Sequence, residues 1–356
     1  MKKIQIKSKV DNSYFVIVDH DIRTTLHKSI HIGHYSKIGV ITDKNVIKSW
    51  KSYINKELAP DFIITVEPGE KHKNINTLKF LWDSLIKEKC DKSTLLLIVG
   101  GGVIGDMAAL AASTYLRGVD FIHIPTTIIS QVDSSMGGKT AVNFSGGKNI
   151  VGLYSQPKLV LINSHFLSTL PDREFVSGFA EVIKHGLIAD KNYYDFCTSQ
   201  HPLKFSKKEL NEIIARSCQI KIKILNKDIL QQNERKLVLF GHTIGQAIEA
   251  ASLESSTPLL HGEAISIGMV AETLLSIKKF SLPSKELAEL EKRLSKSGLP
   301  IRTNLEAKKI EKKLAFDKKI TNGEIPWTLL KDMGEGVYNV FLDREQIIEA
   351  IRYVCL

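Results

Sequence analysis

Two hydrophobic periods divide the chain. In the first half, short apolar runs at Val16-Ile17-Val18, Ile38-Gly39-Val40-Ile41, Ile63-Ile64-Thr65-Val66, Leu95-Leu96-Leu97-Ile98-Val99 and Phe121-Ile122-His123-Ile124 read as strands. Between two of them, Ile75 to Lys87 carries Leu78, Leu81, Trp82, Leu85 and Ile86 at helical spacing, which predicts a helix covering a sheet. From about Pro171 the pattern lengthens, predicting helices over Glu174 to Leu187, Leu210 to Leu225, Leu237 to Ala251 and Glu263 to Lys278. The expectation is an α/β domain over residues 1–165 followed by an all-α domain over 166–356. The division is expected in the loop-rich stretch from Val142 to Ser168, where Gly146-Gly147 and Pro157 interrupt regular structure.

Composition agrees with two domains, since 356 residues at 43% hydrophobic exceed what one core usually holds. The balance of 49 basic against 39 acidic residues, +10, admits nucleic acid, a membrane surface or small anionic substrates. Lysine pairs such as Lys207-Lys208 and Lys312-Lys313 sit among acids without interleaved aromatics, which argues against nucleic acid. The start of the chain lacks the apolar run of a signal peptide, and no stretch approaches the ~20 apolar residues of a membrane span, so a cytoplasmic protein is expected. Cys90, Cys197, Cys218 and Cys355 lie far apart and suggest neither a disulfide framework nor a zinc ribbon.

The chemistry is concentrated in a few segments. Gly100-Gly101-Gly102-Val103-Ile104-Gly105-Asp106 follows a strand and opens an alanine-rich helix, a setting in which backbone N–H groups can approach a pyrophosphate. Alone it could be only a tight βα turn. Pro125-Thr126-Thr127, Gln131 to Thr140 and Ser145 to Asn149 add three polar segments, the last two glycine-bearing, that together suggest an anion-binding wall. In the helical half, Glu181 and Lys184 share a helix face. Glu181, His242 and His261, from three separate helices, form a candidate three-ligand divalent metal site. Singly, each could be an ordinary polar residue, and His20, His27, His31, His34, His72, His123, His165, His185 and His201 are read as such.

Across Gly100 to Asp106, Val132 to Thr140, Gly147 to Asn149, Leu170 to Lys184, Gly241 to Gly245 and His261 to Glu263, the chain closely resembles the 3-dehydroquinate synthase family. Pro68-Gly69-Glu70 and Asp317-Lys318-Lys319 also fit. The resemblance implies a Rossmann-like domain, a helical domain, NAD, a divalent metal such as Zn2+ or Co2+, and a phosphorylated sugar acid as substrate. It places the metal on Glu181, His242 and His261, and substrate and phosphate on Lys139, Lys148, Asn149, Lys184, Lys221, Arg235 and Lys318 or Lys319. Asp133 matches a residue that orients substrate hydroxyls. Arg117 matches an arginine reaching the phosphate site of a neighbouring subunit, which implies a homodimer. NAD contacts carry over to Asp43, Asn45, Glu70, Lys73, Gly101, Gly102, Val103, Asp106, Thr126, Thr127, Lys139, Lys148, Thr169, Leu170 and Glu174.

Three departures from the family pattern lie near the expected metal. Leu239 stands for an asparagine, Gln246 for a histidine, and Asp228 to Glu234, with Gln231 inside it, for a more acidic stretch. Leucine cannot bond a hydroxyl and glutamine cannot relay a proton as imidazole can. The alternatives are therefore a related sugar phosphate cyclase with another substrate, a metal- and NAD-dependent polyol dehydrogenase, or a catalytically inactive binding protein.

Overall fold

The structure, a computed structural model, describes residues 12–314 and 324–356. These residues gather into two compact units. One comprises the described residues up to Pro125 with Gly137–Asn163, the other Thr126–Met136 with the described residues from Ser164 onward. The units meet along the chain at 163/164, and the short segment after Pro125 belongs to the second unit.

The first unit runs β1 (Phe15–Val18), α1 (Ile22–Ser29), β2 (Lys37–Asp43), α2 (Lys44–Leu58), β3 (Phe62–Val66), α3 (Ile75–Lys87), β4 (Thr94–Gly100), α4 (Gly102–Thr114), β5 (Asp120–Pro125), β6 (Lys139–Phe144), β7 (Gly147–Tyr154) and β8 (Leu159–Ile162). Six strands form one parallel sheet in the order β1-β8-β5-β4-β2-β3. Every residue of β4 is buried, as expected of a continuous apolar run inside a parallel sheet. The amphipathic helices are tied at their starts by side chains. Asp43 accepts from Asn45 N at 2.8 Å and Val46 N at 3.0 Å, and α2 buries Trp50, Ile54 and Leu58 along one face. By contrast α4 is buried nearly all round, because it packs against β2, β4 and β5 and also against β6.

After β2 the chain moves to one side of it to form β3, and β4 then pairs on the other side. The carboxyl ends of β2 and β4 thus flank a topological switch point, the usual ligand crevice of such sheets. Asp43 and the Gly100–Gly102 turn stand at those ends.

The stretch read as loop-rich contains three strands. Leu159-Val160-Leu161-Ile162 is β8, fully buried between β1 and β5, an apolar run as long as others read as strands but passed over in a stretch marked by glycines and Pro157. β6 and β7 form an antiparallel hairpin in which Phe144 pairs with Gly147. Ser145 and Gly146, both at positive φ (47° and 79°), make its two-residue turn.

The second unit contains α5 (Asp172–Ala189), α6 (Lys191–Cys197), α7 (Lys207–Lys227), α8 (His242–Ser252), α9 (His261–Phe280), α10 (Ser284–Lys296), α11 (Ala307–Leu314), β9 (Trp327–Asp332), β10 (Glu335–Val340) and α12 (Arg344–Val354). α5 and α9 are buried along most of their length and pack on each other, with α8 against α9 and α7 against α5. The antiparallel β9–β10 pair adds a hairpin to a unit for which periodicity predicts helices alone. The helix expected from Leu237 to Ala251 is interrupted. Residues Glu234–Leu239 form a 3-10 turn, Gly241 takes φ +77°, and α8 starts at His242. No helix among the described residues is long and apolar enough to cross a membrane.

Ile98 lies at the centre of β4 and is 1% exposed. Ile98→Ala is expected to cost roughly 2–5 kcal/mol, read as a lower urea midpoint with an unchanged slope.

Candidate active site

The helices of the second unit converge on one carboxylate. Glu181, fully buried on α5, has its Oε1 3.6 Å from His242 Nε2 and 3.4 Å from His261 Nε2, the two histidines opening α8 and α9. The approach of α9 to α5 depends on Gly262, because a Cβ there would lie 1.7 Å from Ser177 O. Glu181 Oε1 is buried with no hydrogen-bond partner among the described residues. An orphaned carboxylate oxygen facing two imidazole nitrogens, all within 4.8 Å of one another, fits a divalent ion of the zinc type.

The far side of each imidazole is also fixed. Nδ1 of His261 lies 3.1 Å from Glu249 Oε2, and Nδ1 of His242 lies 3.2 Å from Phe240 O. A carbonyl only accepts, so His242 carries its proton on Nδ1 and turns the Nε2 lone pair toward Glu181. Burial, with Lys184 nearby, pushes the His242 pKa down to about 3, so the ring is neutral. His261 behaves oppositely. Burial would lower it, but Glu181 and Glu249 outweigh that and raise its pKa to about 10. Burial would raise Glu181, yet Lys184 holds its pKa well below the usual carboxylate range.

Beside this trio lies a set of cations. Lys184 Nζ, fully buried, donates to Glu181 Oε2, and Lys221 Nζ on α7 donates to Asp133 Oδ1. Burial opposes the charge on Asp133, but Lys221 and Lys184 keep it ionised. Burial pushes the Lys221 pKa down against the pull of Asp133, with Lys184 and Arg235 adding to the decrease. Arg235 is itself buried, held by a bond from Nη1 to Ile229 O, while its backbone N–H donates to Asp228 Oδ2 at 3.0 Å. That carboxylate also receives Gln232 N at 3.0 Å, through Oδ1, and Asn233 N at 2.6 Å, so Asp228 shapes the acid-poor loop leading to Arg235.

His185, read from the sequence as an ordinary polar residue, lies next to this set. It is fully buried on α5, its Nδ1 lies 2.6 Å from Ser217 Oγ, and its Nε2 faces Asp133 Oδ1 at 4.0 Å. Burial and then Lys184 lower its pKa to about 3. Its position four residues after Glu181 was the available signal, because it places the two on one helix face. Glu249 was missed too; it lies seven residues after His242 on α8, about two turns along. Of the departures, Gln246 is exposed and Leu239 partly buried.

In the first unit, Lys73 draws together residues far apart in sequence. Its buried Nζ donates to Asp106 Oδ2 at 2.5 Å and Asn149 Oδ1 at 2.6 Å. Glu70 accepts from Asn143 Nδ2 at 2.8 Å, and Asn143 Oδ1 accepts from Asn149 N at 2.8 Å. Burial raises the Asp106 pKa, while Lys73 and Lys139 pull it down. Gly101, Gly102 and Val103 form the turn into α4, and Asp43 and Asn45 lie at the start of α2. Lys148 sits on β7.

Thr126, Thr127, Thr169, Leu170 and Glu174 fall in the second unit, where Thr127 Oγ1 lies 2.8 Å from Ser130 Oγ. Glu174, at the start of α5, has its pKa raised by burial. Arg117 is exposed in a left-handed turn, with φ of 48° at Leu116 and 61° at Arg117. Asp317, Lys318 and Lys319 lie outside the described residues.

A doubly wound parallel sheet with a glycine-rich turn at its switch point, followed by helices converging on a Glu-His-His group, defines a class of metal-using α/β enzymes with a nucleotide-type fold. Family models described as 3-dehydroquinate synthase N-terminal and C-terminal match residues 63–177 and 178–320. A 3-dehydroquinate synthase from a Nitratiruptor species is 38% identical over 352 residues, 98% of this chain and 97% of that protein. The chain belongs to the 3-dehydroquinate synthase family.

Among solved structures, a 2-deoxy-scyllo-inosose synthase complexed with carbaglucose-6-phosphate, NAD+ and Co2+ is similar with a TM-score of 0.86 and 26% identity, covering 96% of this chain and 97% of that one. A 2-epi-5-epi-valiolone synthase from Streptomyces hygroscopicus subsp. jinggangensis 5008, with NAD+ and Zn2+ bound, has a TM-score of 0.85 at 26% identity and covers 99% of both chains.

With a pKa near 10, His261 is protonated at neutral pH until an ion displaces the proton. Titrating metal-stripped protein with Zn2+ near neutral pH is expected to release about one proton per ion, with affinity rising as pH rises toward about 10. Calorimetry in buffers of different ionisation enthalpy reads this, and binding with no proton release contradicts it.

Proposed function

We infer that this chain is a phosphate-eliminating, ring-closing lyase that converts 3-deoxy-arabino-heptulosonate 7-phosphate into 3-dehydroquinate and inorganic phosphate, the shikimate-pathway step of its family. The observation that carries the reading is the Glu181, His242 and His261 group beside Lys184 and Lys221, within a chain matched to the family almost from end to end. When bound, NAD supplies a two-electron acceptor restored within each turnover, and the divalent ion, Zn2+ or Co2+, supplies Lewis-acid polarisation of neighbouring hydroxyls.

The side chains do the rest. Lys184 Nζ engages Glu181 Oε2 and leaves Oε1 toward the imidazoles. Asp133, held ionised by Lys221, is a fixed acceptor for a substrate hydroxyl. A substrate with a carboxylate at one end and a phosphate at the other needs cations at fixed points. Lys139, Lys148, Lys184, Lys221 and Arg235, with Asn149 and with Lys318 or Lys319, are the residues proposed to supply or complete them. NAD is proposed to lie at the switch point, against Asp43, Asn45, Glu70, Lys73, Gly101, Gly102, Val103 and Asp106, with Thr126, Thr127, Lys139, Lys148, Thr169, Leu170 and Glu174 completing its contacts. The reading is supported by the position of Asp43 and Gly101 at the carboxyl ends of β2 and β4, on either side of the switch point.

Purified protein with Zn2+ and catalytic NAD is expected to release phosphate and form 3-dehydroquinate in equal amounts, without net NADH. NADH growing in step with substrate consumption favours a polyol dehydrogenase. Turnover of a different sugar phosphate, with none of the heptulosonate phosphate, favours a related cyclase. Lys221→Met, which removes the ammonium that donates to the part-buried Asp133 carboxylate, is expected to lower kcat/KM by at least ~100-fold.

A cytoplasmic homodimer completes the proposal, with the exposed Arg117 reaching the phosphate site of the second copy. Light scattering is expected to give twice the chain mass. Arg117→Ala is expected to raise the KM for phosphorylated substrate at least ~tenfold without altering NAD affinity.

A further inference from the structure

α8 opens on the metal-ligand candidate His242 without a capping side chain of its own. Gly241 occupies the cap at φ +77°, and a Cβ there would meet Met269 Cγ at 2.6 Å, so serine, threonine, asparagine and aspartate are all excluded. The cap comes instead from Glu272, fully buried on α9. Its Oε2 accepts from Gly241 N at 2.6 Å, and its Oε1 accepts from Thr243 N at 2.9 Å and Ile244 N at 3.0 Å. A carboxylate at a helix N-terminus is stabilised both by these bonds and by the partial positive charge of the helix end.

The consequence for the metal lies in one peptide group. Gly241 N–H and Phe240 C=O belong to the same planar unit and point in opposite directions. The N–H is held by Glu272, and the C=O receives Nδ1–H of His242 at 3.2 Å. A negative charge bonded to the N–H polarises the amide and makes its oxygen the stronger acceptor, which in turn makes Nε2 the more basic ligand atom. His261 has a carboxylate, Glu249, bonded directly to its Nδ1, whereas His242 has one only through this peptide.

We propose that Glu272 is a positioning residue for the metal centre: through the Phe240–Gly241 peptide it sets the tautomer, orientation and basicity of His242. The proposal rests on the metal-dependent reading of the site. The test is Glu272→Gln, which keeps the shape but loses the charge and turns one acceptor into a donor. Zn2+ affinity, measured by competition with a chromophoric chelator, is expected to fall ten- to a hundredfold. The visible spectrum of the Co2+-loaded protein is expected to change, while NAD affinity stays within twofold of the parent.

If the variant binds Zn2+ within twofold of the parent with an unchanged Co2+ spectrum, and only its melting temperature falls, Glu272 is a helix cap alone and the proposal is overturned. If the parent protein itself binds no divalent ion, the metal-dependent reading fails first. A second measurement does not depend on the variant folding. Histidine-labelled parent protein loaded with Zn2+ is expected to show His242 protonated at Nδ1 and metal-bound at Nε2 by long-range 1H–15N correlation, and the opposite assignment overturns the proposal.

Discussion

A carboxylate with no exposure to water sets the terms for the second unit. Glu181 sits in the middle of α5, and a buried charge is tolerated only when its oxygens find positive partners. Lys184, one turn along the same helix, engages one oxygen. The other is left to two imidazoles, which requires the first turns of α8 and α9 to be brought against α5. The bare backbone of Gly262 permits that approach for His261, and the left-handed Gly241 starts α8 at His242. Glu249 beside the far nitrogen of His261, and Glu272 bonded to the backbone that opens α8, complete the arrangement.

The same rule governs the neighbouring charges. Asp133 is ionised because Lys221 and Lys184 face it, and Lys221 holds its proton less tightly because Lys184, Arg235 and burial surround it. Each of these cations has an acid of the chain beside it, Glu181 for Lys184, Asp133 for Lys221 and Asp228 for Arg235. In the first unit a single lysine is the pivot. Lys73 is shared between Asp106 and Asn149, which ties the helix after the glycine-rich turn to the β6–β7 hairpin.

Much of the fold was legible because its elements announce themselves locally. The all-apolar β4 and the amphipathic α3 follow from spacing alone. β8 was passed over, since its apolar run follows Gly152 and Pro157 in a stretch that reads as loop, and pairing with β1 and β5 is what makes it a strand. Nor was the break before α8. The apolar spacing from Leu237 to Ala251 is helical, but the packing of Gly241 against Met269 and Ile265 forces a left-handed residue into it. In the site, Glu181, His242 and His261 were recognisable because each lies in a distinctive local motif. His185, Glu249 and Glu272 were not, because helical glutamates and histidines are common and their roles depend on what they face.

The sequence by itself determined the glycine-rich turn after β4 and most of the order of the elements, which rest on residue type at short spacing, and it offered Glu181, His242 and His261 as a candidate group through their local motifs and the family resemblance. Tertiary structure alone decided which charges meet. Lys221 reaches back 88 residues to Asp133, and Glu272 reaches back 31 to Gly241. Such pairings arise when helices pack, and packing is set by the shape of whole faces, glycine contacts included, so no local pattern specifies them. The protonation of the two imidazoles follows from those pairings. His242 is neutral beside Lys184, and His261 is charged between two carboxylates, although the same side chain occupies both positions.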